Sequence, residues 1–142
     1  MFRKDYIQKL LEQLSIAIAK VIGDLTKANE DGNTNEALEI SDTALQSEFD
    51  LKLNDLIALH PEETIGFLTE EKQLIPGKLN LLADLLFATT NAYEKSENNI
   101  IAKNLLEKTL LIYEYVNLTE KTFSQSRQLN INAIKTRLYE FE

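Results

Sequence analysis

The stretch Ile7-Gln8-Lys9-Leu10-Leu11-Glu12-Gln13-Leu14-Ser15-Ile16-Ala17-Ile18-Ala19-Lys20-Val21-Ile22-Gly23-Asp24-Leu25-Thr26-Lys27-Ala28 decides the fold class. Ile7, Leu11, Leu14, Ile18, Val21, Leu25 and Ala28 recur at steps of 4, 3, 4, 3, 4 and 3. An average near 3.5 is the seam that packed helices present to one another. Leu10 and Ile22 widen the stripe, and Gly23 alone weakens it, by ~1 kcal/mol against Ala. The pattern predicts a helix over Arg3 to Asn29, roughly 40 Å long. Asp31-Gly32-Asn33 ends it, with Gly32 suited to a left-handed C-terminal cap.

Outward from this helix the chain repeats the same grammar. Thr34 or Asn35 is expected to cap a second helix reaching Phe49, with Ala37, Leu38, Ser41, Ala44 and Leu45 on its inner face. The short link makes the pair an antiparallel hairpin. Leu51 to Ile75 is less regular. Asn54 is read as the cap of a short helix ending near Leu59. His60-Pro61-Glu62-Glu63 opens another, which carries Ile65, Phe67 and Leu68 and fades by Glu71. Pro76-Gly77 reads as punctuation.

A helix over Lys78 to Lys95 bears two apolar stripes, Leu79-Leu82-Leu86-Thr89-Tyr93 and Leu81-Leu85-Ala88-Ala92, and is expected at the centre. Helices over Asn99 to Val116 and Phe123 to Phe141 follow, the last with Leu129, Ile131, Ile134, Leu138 and Phe141 inward. The expectation is one all-α domain over residues 1–142. It comprises a long N-terminal hairpin (1–49), irregular short helices (50–76) and three C-terminal helices (77–142).

Two segments echo each other. Gly32-Asn33-Thr34-Asn35-Glu36-Ala37 leads to Ser41 and Ala44-Leu45, and Glu97-Asn98-Asn99-Ile100-Ile101-Ala102 leads to Leu106 and Thr109-Leu110. Small residues at these spacings, with Tyr93 nine positions before Ala102, resemble the second half of a tetratricopeptide repeat. The resemblance implies antiparallel helical hairpins that stack. A plain up-down helical bundle is the alternative. The whole chain also resembles a small uncharacterised bacterial family, through Met1-Phe2-Arg3-Lys4-Asp5-Tyr6-Ile7, the hairpin Gly32 to Leu45, and Lys121-Thr122-Phe123-Ser124. That likeness supports the fold and carries no activity with it.

Composition narrows the function. There is no Cys, which excludes a disulfide scaffold and suits a cytoplasmic setting. Residues are 44% hydrophobic, enough for a core rather than a disordered chain. The net charge of −8 argues against nucleic-acid binding, which needs excess Lys and Arg. That charge is local. Residues 1–29 hold five cations and three anions, residues 30–75 two and twelve, residues 76–142 eight and eight. The acidic middle is either a solvated face or a landing surface for a basic partner. No run of ~18 apolar residues suggests a membrane span. Glu12, Gln13 and Lys20 interrupt what would be a signal peptide. The first helix lacks the strongly basic face of a membrane-surface helix.

Chemistry-bearing motifs are sparse. His60 is the single histidine and sits at a helix boundary, so neither a zinc site nor a His-based acid–base pair is expected. Asp31, Asn33 and Asn35 start like a calcium loop, but Glu36 stands where that loop requires Gly. The pairs Glu62-Glu63 and Glu70-Glu71 point about 100° apart on a helix and do not converge. No phosphate-cradling Gly-rich loop is present, and no cofactor is expected.

One stripe invites a partner: Asn80, Asp84, Phe87 and Asn91 place an aromatic amid polar groups, and Leu111 and Tyr115 share a face with Asn104 and Lys108. The candidate partner-binding residues are Asp84, Phe87, Asn91, Leu111 and Tyr115, unless Leu51 to Ile75 covers them. The leading expectation is a non-enzymatic protein–protein interaction module that takes a protein or peptide. A structural homodimer built on the long first helix is the alternative, its excess length packing on the last helix or on a second copy. An enzyme is the third reading.

Overall fold

A computed structural model describes residues 2–141 of the chain; Met1 and Glu142, the ends of the expected domain, lie outside them. Among the described residues are seven α-helices and no strand. They are α1 Phe2–Glu30, α2 Thr34–Phe49, α3 Leu53–Ala58, α4 Pro61–Gly66, α5 Pro76–Lys95, α6 Asn99–Thr119 and α7 Gln125–Glu140. A π turn over Phe67–Glu71 extends α4. None of the helices is long and apolar enough to cross a membrane.

The apolar seam of α1 turns inward as its spacing requires. Leu14, Ile18, Leu25 and Ala28 are buried, and Val21 packs against the core from its edge. Gly32 takes φ +86° and turns the chain into α2. Ala37, Ser41, Ala44 and Leu45 then face back into the hairpin. The cap of α2 is Asn33 rather than Thr34 or Asn35, and its side chain makes no capping hydrogen bond.

α5 packs against α1, α2 and α6, which explains its two apolar faces. Leu79, Leu82, Leu85 and Leu86 are fully buried. Ser41 Oγ lies 2.6 Å from Thr89 Oγ1 in this core. Thr89 gives its own hydrogen to the Leu85 carbonyl at 2.8 Å, so Ser41 is the donor between α2 and α5. Within the chain, the excess length of α1 packs on the start of α5 rather than on the last helix. There Leu11 lies against Gly77, where an added Cβ would come within 2.6 Å of Leu11 Cδ1.

Several expected boundaries move. Pro76-Gly77 is the first turn of α5, not a break before it, because Pro at the first helical position lacks only a donor that has no helical partner anyway. Lys52 rather than Asn54 precedes α3. His60 does open α4, its Nδ1 accepting from the Glu62 N–H at 3.4 Å. α6 runs a turn past Val116, to Thr119. α7 begins at Gln125 after Ser124, whose hydroxyl accepts from the Arg127 N–H at 3.2 Å. Ile131 and Ile134 face the core as expected, but Leu129, expected inward, is 61% exposed, and Arg127 is the further residue of α7 that is buried.

Candidate functional site

The five residues expected to bind a partner do not form one free face. Asp84, Phe87 and Asn91 lie on the side of α5 reached by α7. The guanidinium of Arg137 sits 5.0 Å from the centre of the Phe87 ring, and its Nη1 donates to Asn91 Oδ1 at 2.9 Å. Phe87 is therefore half-buried beneath a cation, not an exposed aromatic. Its cover is α7, not the Leu51 to Ile75 segment.

Asp84 belongs to a polar network beside it. Tyr113 donates to Asp84 Oδ1, and Asn130 donates to the Tyr113 hydroxyl at 3.0 Å. Arg127, only 4% exposed, donates to Asn117 Oδ1 at 2.6 Å, Asn80 Oδ1 at 3.0 Å and the Thr122 carbonyl at 3.2 Å. Burial pushes the Asp84 carboxyl above its usual range, opposed by the Tyr113 hydrogen bond and by the charge of Arg127. Burial and the Asp84 charge push the Tyr113 phenol up as well. The groups face one another across helix interfaces, so their chemistry holds α7 in place.

Leu111 and Tyr115 sit on another stripe, that of Asn104 and Lys108 on α6, and both are half-buried. The irregular segment does cover part of this stripe. Lys108 Nζ donates to the Ile57 carbonyl at 2.6 Å and to Asn104 Oδ1 at 3.0 Å, and Asn104 Nδ2 donates to the same carbonyl at 3.2 Å. Two side chains of α6 thus satisfy a carbonyl in the last turn of α3, where the helix dipole favours a cation. At 1% exposure, burial lowers the Lys108 pKa, with Glu107 acting the other way.

The open concave surface is elsewhere, in the outer valley of the α1–α2 hairpin. Its main section, about 460 Å³, has Val21, Ile40 and Ala44 at its floor and Glu36, Glu39 and Glu48 on its rim. Glu48 also borders a section with Leu10, Leu14 and Ala17. Ile40 and Glu36 lead into a third, beside Asp24, Ala28 and Asp31. Ile40, Thr43 and Ser47 lie roughly 100–160° around α2 from Ser41, which meets α5. The valley therefore faces away from α5, except at its far end, where Lys78 in the first turn of α5 borders it. Lys27 and Lys78 are the cations along it. Among the described residues, none of its carboxylates enters an ion pair.

No protein-family model, curated protein or solved structure matches the chain. The functional reading therefore rests on geometry. Among the described residues no three His, Asp or Glu side chains are grouped to hold a metal ion. The sequence carried one sign of the valley: Ile40, an apolar residue between Glu36, Glu39 and Thr43, outside the inner face of its helix. The acidic excess of residues 30–75 was the other sign, and the structure brings part of it, Asp31, Glu36, Glu39 and Glu48, to one groove.

Proposed function

We propose that this protein is a non-enzymatic docking module that binds another protein or a peptide in the α1–α2 valley. The observation that carries the reading is the apolar floor of this groove, where Val21 and Ile40 are only half-buried beside the buried Ala44, on a surface that the rest of the chain leaves open. Solvent-facing apolar floors with polar rims are the common form of protein-binding grooves. The tetratricopeptide-like arrangement belongs to this proposal. Its support is the small residues inside both hairpins, Ala37, Ser41 and Ala44 in the first, Ala102 and Thr109 in the second, all buried. The lack of Cys supports a cytoplasmic setting.

The test pairs native protein with Ile40→Arg as affinity baits in extract from the producing cells. A protein retained by the native bait and lost from a variant with the native melting temperature is the expected result. Identical captures would sink the valley as the docking surface. A homodimer is the second reading, favoured by the exposed side chains of Tyr6, Leu10 and Ile16 on α1. Sedimentation at micromolar concentration separates the two: a 16.2 kDa species removes the dimer.

A further inference from the structure

Resting on the docking reading above, we infer that the occupant of the α1–α2 valley is a cationic amphipathic helix from a partner protein. Shape is the first argument. A valley between two antiparallel helices receives a third as ridges enter a groove. From Leu10 to Ala28 the valley follows α1 for about 27 Å at 1.5 Å per residue. A partner helix of about 18 residues, five turns, spans that length. Val21 and Ile40 offer the valley's half-exposed apolar contact, with the small Ala28 and Ala44 buried at the base. An occupant with a single apolar stripe at helical spacing fits it, whereas an extended strand finds no sheet edge on which to pair.

Charge is the second and independent argument. Asp24, Asp31, Glu36 and Glu39 gather at the end of the valley near the α1–α2 turn, and Glu48 stands further along. They lack ion-pair partners among the described residues, so each remains free to meet a Lys or Arg brought by the occupant. The cations of the partner helix belong above all at the end near the turn. A second copy brings the same predominantly acidic rim to the contact, with only Lys27 and Lys78 as cations, which opposes it. An anionic lipid surface is repelled for the same reason.

The probe is a fluorescein-labelled 18-residue peptide with Leu on one helical stripe and Lys elsewhere. Its counterpart carries Glu in place of every Lys. Anisotropy titrations on the full chain measure binding, and hydrogen exchange maps the protected amides. The Lys peptide is expected to bind and protect residues 10–48, weakening about ten-fold or more between ~50 and ~300 mM salt. Glu39→Lys/Glu48→Lys should weaken it by a similar factor while melting like the native protein, and the Glu peptide should not bind.

Each contrary result has its own meaning. Equal binding of both peptides in the valley, lost in Ile40→Arg, overturns the cationic occupant but keeps the docking surface. Protection confined to α5, α6 or α7 overturns both. Failure of the Lys peptide to bind a monomeric chain overturns the cationic helix. A dimer that blocks the Lys peptide assigns the valley to a second copy.

Discussion

Gly23 and Gly32 lie nine residues apart and are expected to respond to alanine in opposite directions. Gly32 holds φ +86°, where a side chain strains the backbone by about 1–2 kcal/mol. Gly23 is exposed inside α1 with open space around its Cβ position, so alanine there gains up to ~1 kcal/mol of helix propensity. Urea denaturation of the two variants should show Gly32→Ala destabilised and Gly23→Ala stabilised. Only Gly32 announces a left-handed turn to a reader of the sequence. Asp50, Gln73 and Glu97 also adopt positive φ, at 54°, 53° and 63°. At these chain reversals no glycine betrays the conformation, which is why several helix boundaries were less legible than the helices themselves.

α7 owes its position to polar side chains more than to an apolar stripe. Ile131 and Ile134 are its buried aliphatics, while Arg127 and Asn130 join the network around Tyr113. In a sequence, Arg and Asn on a helix look like solvent-facing residues. The seven-residue seam of α1 was readable from periodicity, but the cover over Phe87 was not, because it depends on long side chains reaching between helices. Arg127→Leu leaves Asn117, Asn80 and the Thr122 carbonyl without their donor and should cost about 1–3 kcal/mol for each acceptor that water does not reach. Its signature is faster hydrogen exchange across α7 than across α5; equal change in both would mean that α7 is not held separately.

Asp84 adds a pH dependence of uncommon sign. Its folded-state pKa lies above the ordinary 3.8, so the folded chain holds this proton more tightly than the unfolded one. Its stabilising effect therefore grows as pH falls from the raised value toward 3.8 and is constant below it. Native protein should gain stability over Asp84→Asn across that window in chemical denaturation. A difference that stays flat would place the carboxyl in water.

At the scale of the molecule, the chain separates two kinds of polar surface. One is internal, between α5, α6 and α7, and its donors and acceptors are matched. The other lines the outer valley of the first hairpin, and its carboxylates are unpaired among the described residues. The fold was legible because apolar periodicity encodes helix contacts directly. The docking surface was half legible, since charge can be summed along a sequence but a groove arises only when two helices meet.

Lys108 draws a last consequence from this packing. Its amine is closed off by Ile57 and Asn104, whereas Lys4, Lys9 and Lys20 stand in solvent. Brief treatment with an acylating reagent should tag those three at once and spare Lys108, as peptide mass spectrometry would read. The rate at which the protected amine finally acquires its tag then becomes a clock for how often α3 lifts from α6.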